Sequence, residues 1–421
     1  MVNVHDLNIK KEVLPIFDYS LNSFTRNKIL NLLETTLSNE NQITQRQEIL
    51  KGFISNIEIL KKYSYTVLYL NEVHFFLNNF KIEQVEKKYR LFFSPSTDEI
   101  LLNNKIHQLI LFFHRLETIC FSRLNLRDFP ELYRSDLKRI LTFLSFFQLK
   151  KYEKIIREKR LRNKDSKELL SIILKLKSDN MIQAFWEDLF LFESYVSISR
   201  AMVDKNLVFP TFGKKALTLI DFYHPLIKNP IKNSFTASTN VILLNGPNMS
   251  GKSTFLKSVS LCVFLGNLGF GIPASQGEIP FCTDFSIGIN KRDDILSGYS
   301  HFMTEIMNLK NVVLKVSEGK RCFAVFDELF SGTNIEDALE ICVTTINGLT
   351  LYPNSYFFIS THIEELKNLT SASISTYYLD CELIDNTPTF TYKLKKGWSD
   401  IKVGRILFEK AGLNKLLKSK I

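Results

Sequence analysis

The chain has 421 residues, 45% hydrophobic and 23% charged, which is the balance of a folded protein of two or three domains and excludes a disordered or fibrous one. Its 54 Lys and Arg against 44 Asp and Glu give a net charge of +10, which favours anionic partners, nucleic acid first. A bias towards Lys, Asn, Ile and Phe, of the kind A/T-rich coding produces by itself, accounts for the same charge, and both explanations stand at this point.

The opening, MVNVHDLNIKKEVL, lacks the basic-then-apolar order of a secretory signal. Residues 1–205 contain few Gly or Pro and read as mostly helical. Ile106, Leu109, Ile110, Phe113, Leu116 and Ile119 fall at helical spacing. A second such stretch runs from Lys167 through Ile172, Leu174 and Leu176 and resumes at Trp186, Leu189, Phe190, Phe192 and Tyr195. Two long helices joined by a shorter insert fit this half. The insert, Leu149 to Lys164, is the most basic stretch of the chain: either a solvated helix face or a phosphate-contacting tip.

From about Leu207 short apolar runs alternate with helical segments, as in an α/β sheet of parallel strands and crossover helices. Strands are expected at 241–244, 322–326 and 355–360, and helices after Lys252 and from Ile335. Tyr377 to Leu394 reads as a hairpin, followed by a short helix from Arg405. The longest apolar run, Phe255 to Phe270, is broken by Lys257 and Asn267 and too short for a bilayer, so a buried helix and no membrane partner are expected. The six cysteines include no close pair of the metal-binding kind and sit mostly among apolar neighbours, which fits buried thiols in a cytoplasmic protein.

Chemistry concentrates in a few short strings. Gly246, Pro247, Asn248, Met249, Ser250, Gly251, Lys252, Ser253 and Thr254 fit G-x-x-x-x-G-K-[ST] between an apolar strand and a helical run. Two glycines let backbone N–H groups turn inward around phosphates, and the following helix adds its positive end. Lys252 supplies a point charge for the β and γ oxygens of ATP, and the Ser253 hydroxyl is a ligand for Mg2+. An apolar strand ending in Asp327 and Glu328 delivers one carboxylate to hold Mg2+ and a second to deprotonate the attacking water. His362 ends another strand and is placed to sense the γ-phosphate. Ser300 starts a helix whose hydroxyl and amides are free to meet an anion.

These strings resemble the ATPase domain of the MutS family of DNA mismatch-repair proteins. The loop from Gly246 to Thr254 is close to that family's G-P-N-M-x-G-K-S-T. Residues 327–334 resemble its D-E-x-x-x-G-T-S/N, and 360–362 its A/S-T-H. Asp293 to Glu305 resembles D-D-L-x-x-G-x-S-T-F-x-x-E, with His301 where Thr is usual. His224-Pro225 with Asn229-Pro230 looks like the stretch near the adenine, and Gly397 to Leu413 like the dimerising tail. More faintly, Ile43 to Leu50 resembles the opening of the family's core domain, and Trp186 to Phe209 its lever helix.

The resemblance implies an α/β ABC-type P-loop ATPase domain with a C-terminal dimerisation segment over 206–421. A mostly α-helical core and lever domain over 1–205 would precede it, with the clamp reduced or absent. It also implies a homodimer in which Ser300 of one subunit faces the γ-phosphate held by Lys252 of the other, with DNA and repair proteins as partners and a nucleoid location when DNA is bound. A core-like region beginning near residue 10 leaves no room for the family's mismatch-reading and connector domains, so direct mismatch recognition is not implied. Two alternatives stay open: an ATP-switched module that engages proteins instead of DNA, and another ABC-type chromosome or repair ATPase, whose signature Leu296-Ser297-Gly298 resembles.

Overall fold

A computed structural model describes residues 3–80, 97–213, 217–289, 301–330, 333–369, 373–384, 387–399, 401 and 403–418. The chain divides into two compact units: residues 1–16, 33–44 and 205–421 form one, and residues 17–32 and 45–204 the other.

The first unit is α/β. Its larger sheet has the order β10-β9-β4-β8-β7-β6, where β4 is Val241–Asn245, β6 Asp284–Gly288, β7 Cys322–Phe326, β8 Tyr356–Ser360, β9 Ile374–Ile384 and β10 Thr387–Lys396. Strands β6, β7, β8, β4 and β9 run parallel, and β10 returns antiparallel to β9. Every residue of β4 and β7 is buried, as expected of parallel strands covered on both faces. Val241, Leu243, Ala324, Phe326, Phe357 and Ile359 share one face and pack with Val312, Cys342 and Ile346 of the helices His301–Ser317 and Ile335–Leu349. A smaller sheet, β1-β5-β2-β3, is built from Thr211–Phe212, Gln276–Ile279, Thr218–Phe222 and Asn233–Thr236. Asn3 bridges to Ser286, extending the edge of β6.

The strand order places β4 between β8 and β9, although the chain visits β6, β7 and β8 before β9. Such a reversal leaves a crevice at the C-terminal ends of the strands, where open α/β sheets bind ligands.

The second unit is helical: α1 (Ser23–Glu34, whose last two residues are counted with the first unit), α2 (Glu40–Ser55, whose first five are counted there too), α3 (Val67–Asn79), α4 (Thr97–Leu116), α5 (Glu131–Ser145), α6 (Leu149–Arg157), α7 (Asn163–Ser178) and α8 (Met181–Asp204). Two long helices with a short insert therefore under-describe residues 106–204. The chain breaks at Pro130, which precedes α5, and at Gln148 and Asn180, both in the left-handed conformation with φ of 45° and 57°. None of these stops interrupts the apolar spacing strongly enough to be read from it. The basic stretch is a helix and turn held to this unit by buried Leu149 and Tyr152. Among the described residues no helix is long and apolar enough to cross a membrane. All six cysteines are free and buried.

Candidate functional site

Strand β4 ends at Asn245, and the chain turns through Gly246 to Gly251 into the helix Lys252–Asn267, here α9. Gly246 and Gly251 have φ of 131° and 97°, conformations that an L side chain resists. A Cβ on Gly246 would meet the Ser250 hydroxyl at 3.2 Å, and one on Gly251 the Tyr392 ring at 3.1 Å. The turn is therefore a cradle that only glycine leaves open. Ser250 is fully buried inside it, and among the described residues its Oγ has no hydrogen-bond partner.

Lys252 is only 6% exposed. Its Nζ donates to the carbonyl oxygens of Gly246 at 2.8 Å and Pro247 at 3.2 Å. Burial pulls its pKa below the usual lysine value, while Glu328 and Asp327 oppose that shift. The ammonium is thus folded back on its own loop, beside two carboxylates and with little water to screen it.

Ser253 Oγ donates to Asp327 Oδ2 at 2.6 Å, and Ser360 Oγ donates to Asp327 Oδ1 at 2.5 Å. The start of α9 and the ends of β7 and β8 meet at this carboxylate. The next residue, Glu328, sits at φ 56°, and Phe330 at φ 61°, so the chain leaves β7 through strained backbone. The Glu328 amide donates to Ser360 Oγ at 2.7 Å, and Glu305 Oε2 accepts the Phe330 amide at 2.9 Å. This turn carries Glu328 onto His362, whose Nε2 lies 2.7 Å from Glu328 Oε1. An ionised carboxylate only accepts, so the imidazole Nε2–H is the donor.

Lys252, Ser253, Asp327, Glu328 and His362, from three separate strings of the sequence, are brought together here. Asn248, Met249 and Thr254 are exposed. Ser300 lies outside the described residues, as do Asp293 to Gly298, Gly332 and the His301 side chain.

Sequence reasoning overlooked Asn245. It is buried, and its side-chain amide donates to the carbonyls of Tyr377 and Gly397, both at 3.1 Å, while its Oδ1 accepts from the Ser399 amide at 2.8 Å. That clamp holds Trp398 beside the loop, where Asn248, Met249, Thr361, His362, Trp398 and Val403 line a cleft of about 250 Å3. The only sequence signal is a carboxamide closing an otherwise apolar strand.

The residues fit a nucleotide triphosphate with its metal: an open glycine cradle, a cation at its base, and a hydroxyl and carboxylate of the hard-oxygen kind that Mg2+ takes.

Residues 242–418 match the family model of MutS domain V. Among curated proteins, the DNA mismatch repair protein MutS of Bacillus pumilus is 27% identical over 210 residues, 48% of this chain and 24% of that protein. The MutS of Bacillus subtilis is 26% identical over 205 residues, 46% of this chain and 24% of its own length. That of Lactobacillus acidophilus is 26% identical over 283 residues, 64% of this chain and 33% of that protein. The chain thus spans a quarter to a third of the curated relatives it matches.

Proposed function

We propose that this MutS-like chain, whose residues 242–418 match the family model of MutS domain V, is an ATP-hydrolysing switch that acts on DNA. The observation that carries the reading is the meeting of a buried Lys252 under the glycine turn, the Ser253–Asp327 pair and the Glu328–His362 pair at one sheet edge. Residues 206–421 would carry the ATP chemistry and the dimer contact, and residues 1–205 the helical core and lever.

Mg2+ bound with ATP supplies charge neutralisation on the terminal phosphates, with Ser253 and Asp327 as the donors that hold it. Lys252 trades its loop carbonyls for phosphate oxygens, a stronger charge-assisted contact. Glu328 takes a proton from the attacking water, and His362, donating to its Oε1, fixes the carboxylate that does so. Ser300 of a second copy is assigned to closing the site, so that binding favours a closed homodimer and hydrolysis releases it. This role links the nucleotide to DNA engagement in the cytoplasm or on the nucleoid, with repair proteins as further partners.

The test is Mg2+-dependent ATP turnover. Glu328→Gln is expected to keep ATP binding and to lower turnover by about 10²- to 10⁴-fold, the range of one general base. Unchanged turnover in that variant removes Glu328 from the role, and no turnover in the unsubstituted chain with Mg2+ and duplex DNA removes the reading.

One observation favours the second reading, an ATP-switched module that engages proteins. Around α6 the cations Lys151, Arg157, Arg160 and Arg162 are ion-paired with Glu168, Glu153, Glu158 and Asp165. A phosphate would have to displace those partners. Neutralising the Lys and Arg of residues 149–164 lowers DNA affinity and its salt slope only if this stretch touches phosphates.

A further inference from the structure

The helix His301–Ser317 packs on the sheet through Phe302, Ile306, Leu309, Val312, Val313 and Val316, an apolar stripe at helical spacing. Glu305 falls inside that stripe, three residues after Phe302 and four before Leu309. A hydrophobe at this position would only extend the core, whereas a half-buried carboxylate has to be paired to be tolerated there.

Its partner is backbone. Glu305 Oε2 accepts the Phe330 amide at 2.9 Å, on the turn by which the chain leaves β7. Three successive residues of that turn are each held by a different element. The Glu328 amide donates to Ser360 Oγ of β8 at 2.7 Å. The Leu329 carbonyl accepts weakly from Cys342 Sγ of the helix Ile335–Leu349 at 3.9 Å. Burial, and then the Glu305 carboxylate, push the Cys342 pKa up to about 12, which keeps that thiol a donor. At the third residue the Phe330 ring also meets Phe302, one turn before Glu305, with centroids 5.9 Å apart and 64° between planes.

The turn needs such holding. Glu328 and Phe330 sit at φ 56° and 61°, where a residue other than glycine is strained. A hydrogen bond to a carboxylate is roughly twice as strong as one between neutral groups, so Glu305 is the firmest of the three ties. Without it Phe330 is free to relax towards ordinary dihedrals, and rotation there displaces the Glu328 side chain, whose Oε1 lies 2.7 Å from His362 Nε2. Misplacing a catalytic group by about 1 Å costs up to roughly 10²-fold in rate.

We propose that Glu305 is a positioning residue for ATP hydrolysis: by holding the Phe330 amide it fixes the turn that presents Glu328 to His362. The inference rests on the reading of Glu328 as the general base and adds to it a residue that acts on that base through the backbone.

The full chain carries Glu305→Ala, Glu305→Asp or Glu305→Gln, each alone and together with Glu328→Gln. Alanine removes the acceptor, aspartate keeps the charge but withdraws it by one methylene, and glutamine keeps an acceptor oxygen at the same reach. With Mg2+, kcat for ATP is expected to fall about tenfold in the Ala and Asp variants while KM stays within about twofold, and Glu305→Gln is expected to hold kcat within about threefold. In the Glu328→Gln background the same substitutions are expected to cost nothing further, because the group they position is gone. Full turnover by Glu305→Ala, a loss in Glu305→Gln equal to that in Glu305→Ala, a fall in kcat matched by a rise in KM, or an undiminished further loss in the Glu328→Gln background overturns the proposal. Should Glu305→Ala fail to fold, the order of Asp and Gln decides alone: Asp as fast as Gln overturns it. Glu328→Gln turning over like the unsubstituted chain removes the base itself and this inference with it. A slow Glu328→Gln beside an unimpaired Glu305→Ala removes this inference only.

Discussion

Replacing Lys252 with Met separates what this side chain does for the fold from what it does for a ligand. Methionine keeps an apolar stem of similar reach and removes the ammonium. In the folded protein the substitution deletes two hydrogen bonds, to the carbonyls of Gly246 and Pro247, each worth about 1 kcal/mol net. It also removes a cation that is 6% exposed and whose pKa burial has pulled down, and breaking up such a buried charge returns several kcal/mol of desolvation, roughly. Loss of attraction to Asp327 and Glu328 offsets part of that return. The terms oppose each other, so unfolding stability in urea should change by no more than about 2 kcal/mol. Nucleotide binding has no such cancellation. One charge-assisted contact to phosphate is worth about 1.5–3 kcal/mol, so the Kd for ATP, measured by titration calorimetry, should rise by about 10- to 150-fold. A Kd within about twofold of the unsubstituted value would refute the assignment of Lys252 to phosphate. So would a stability loss well above the stated range, which would make the ammonium a structural tie.

Asn245→Ala removes three hydrogen bonds that hold the turn bearing Trp398, which is expected to cost about 3 kcal/mol in urea unfolding and to weaken ATP binding as the cleft wall loosens. Stability and affinity both unchanged would show that the clamp is redundant. Buried Glu193 accepts from Asn22 Nδ2 at 2.8 Å, from Tyr63 and Tyr65 hydroxyls at 2.7 Å each, and from Thr25 Oγ1. Glu193→Ala strands the three hydroxyls of Thr25, Tyr63 and Tyr65, while Asn22 keeps Thr25 Oγ1 and Tyr65 Oη as acceptors, and should destabilise the helical unit by about 3 kcal/mol or more, read by far-UV circular dichroism melting. The pKa of His107 is lowered by burial, and among the described residues its Nε2 has no partner. Because the folded value lies below the unfolded one, stability is complete above the usual histidine pKa and is lost as pH falls through the folded value. His107→Leu should therefore flatten the decline in urea midpoint from pH 7.5 to 5.5, and an unaltered slope would place that acid sensitivity elsewhere. Glu193, raised by burial, acts with the opposite sign and is common to both proteins.

Much of this molecule is written locally. Val241 to Asn245 and Cys322 to Phe326 are uninterrupted apolar runs, and parallel strands covered on both faces have no other composition open to them. The glycine loop is contiguous, because backbone amides can wrap one phosphate only if they come from neighbouring residues. The pairing of Asp327 with Glu328, and the placement of His362 at a strand end, are likewise read off short strings. Helix punctuation in residues 106–204 was less legible, since Gln148 and Asn180 adopt left-handed backbone without glycine.

What only the tertiary structure decided are the partners of buried polar groups. Asn245 meets Ser399 across 154 positions, and Glu193 meets Thr25 across 168. Ser360 binds the same carboxylate as Ser253, and buried Trp186 Nε1 finds no hydrogen-bond partner among the described residues. A side chain's type and period fix whether it belongs inside; they do not fix which distant donor or acceptor will face it. Hydrogen bonds are satisfied by geometry a few ångströms across, and that geometry exists only once the helices and strands have packed.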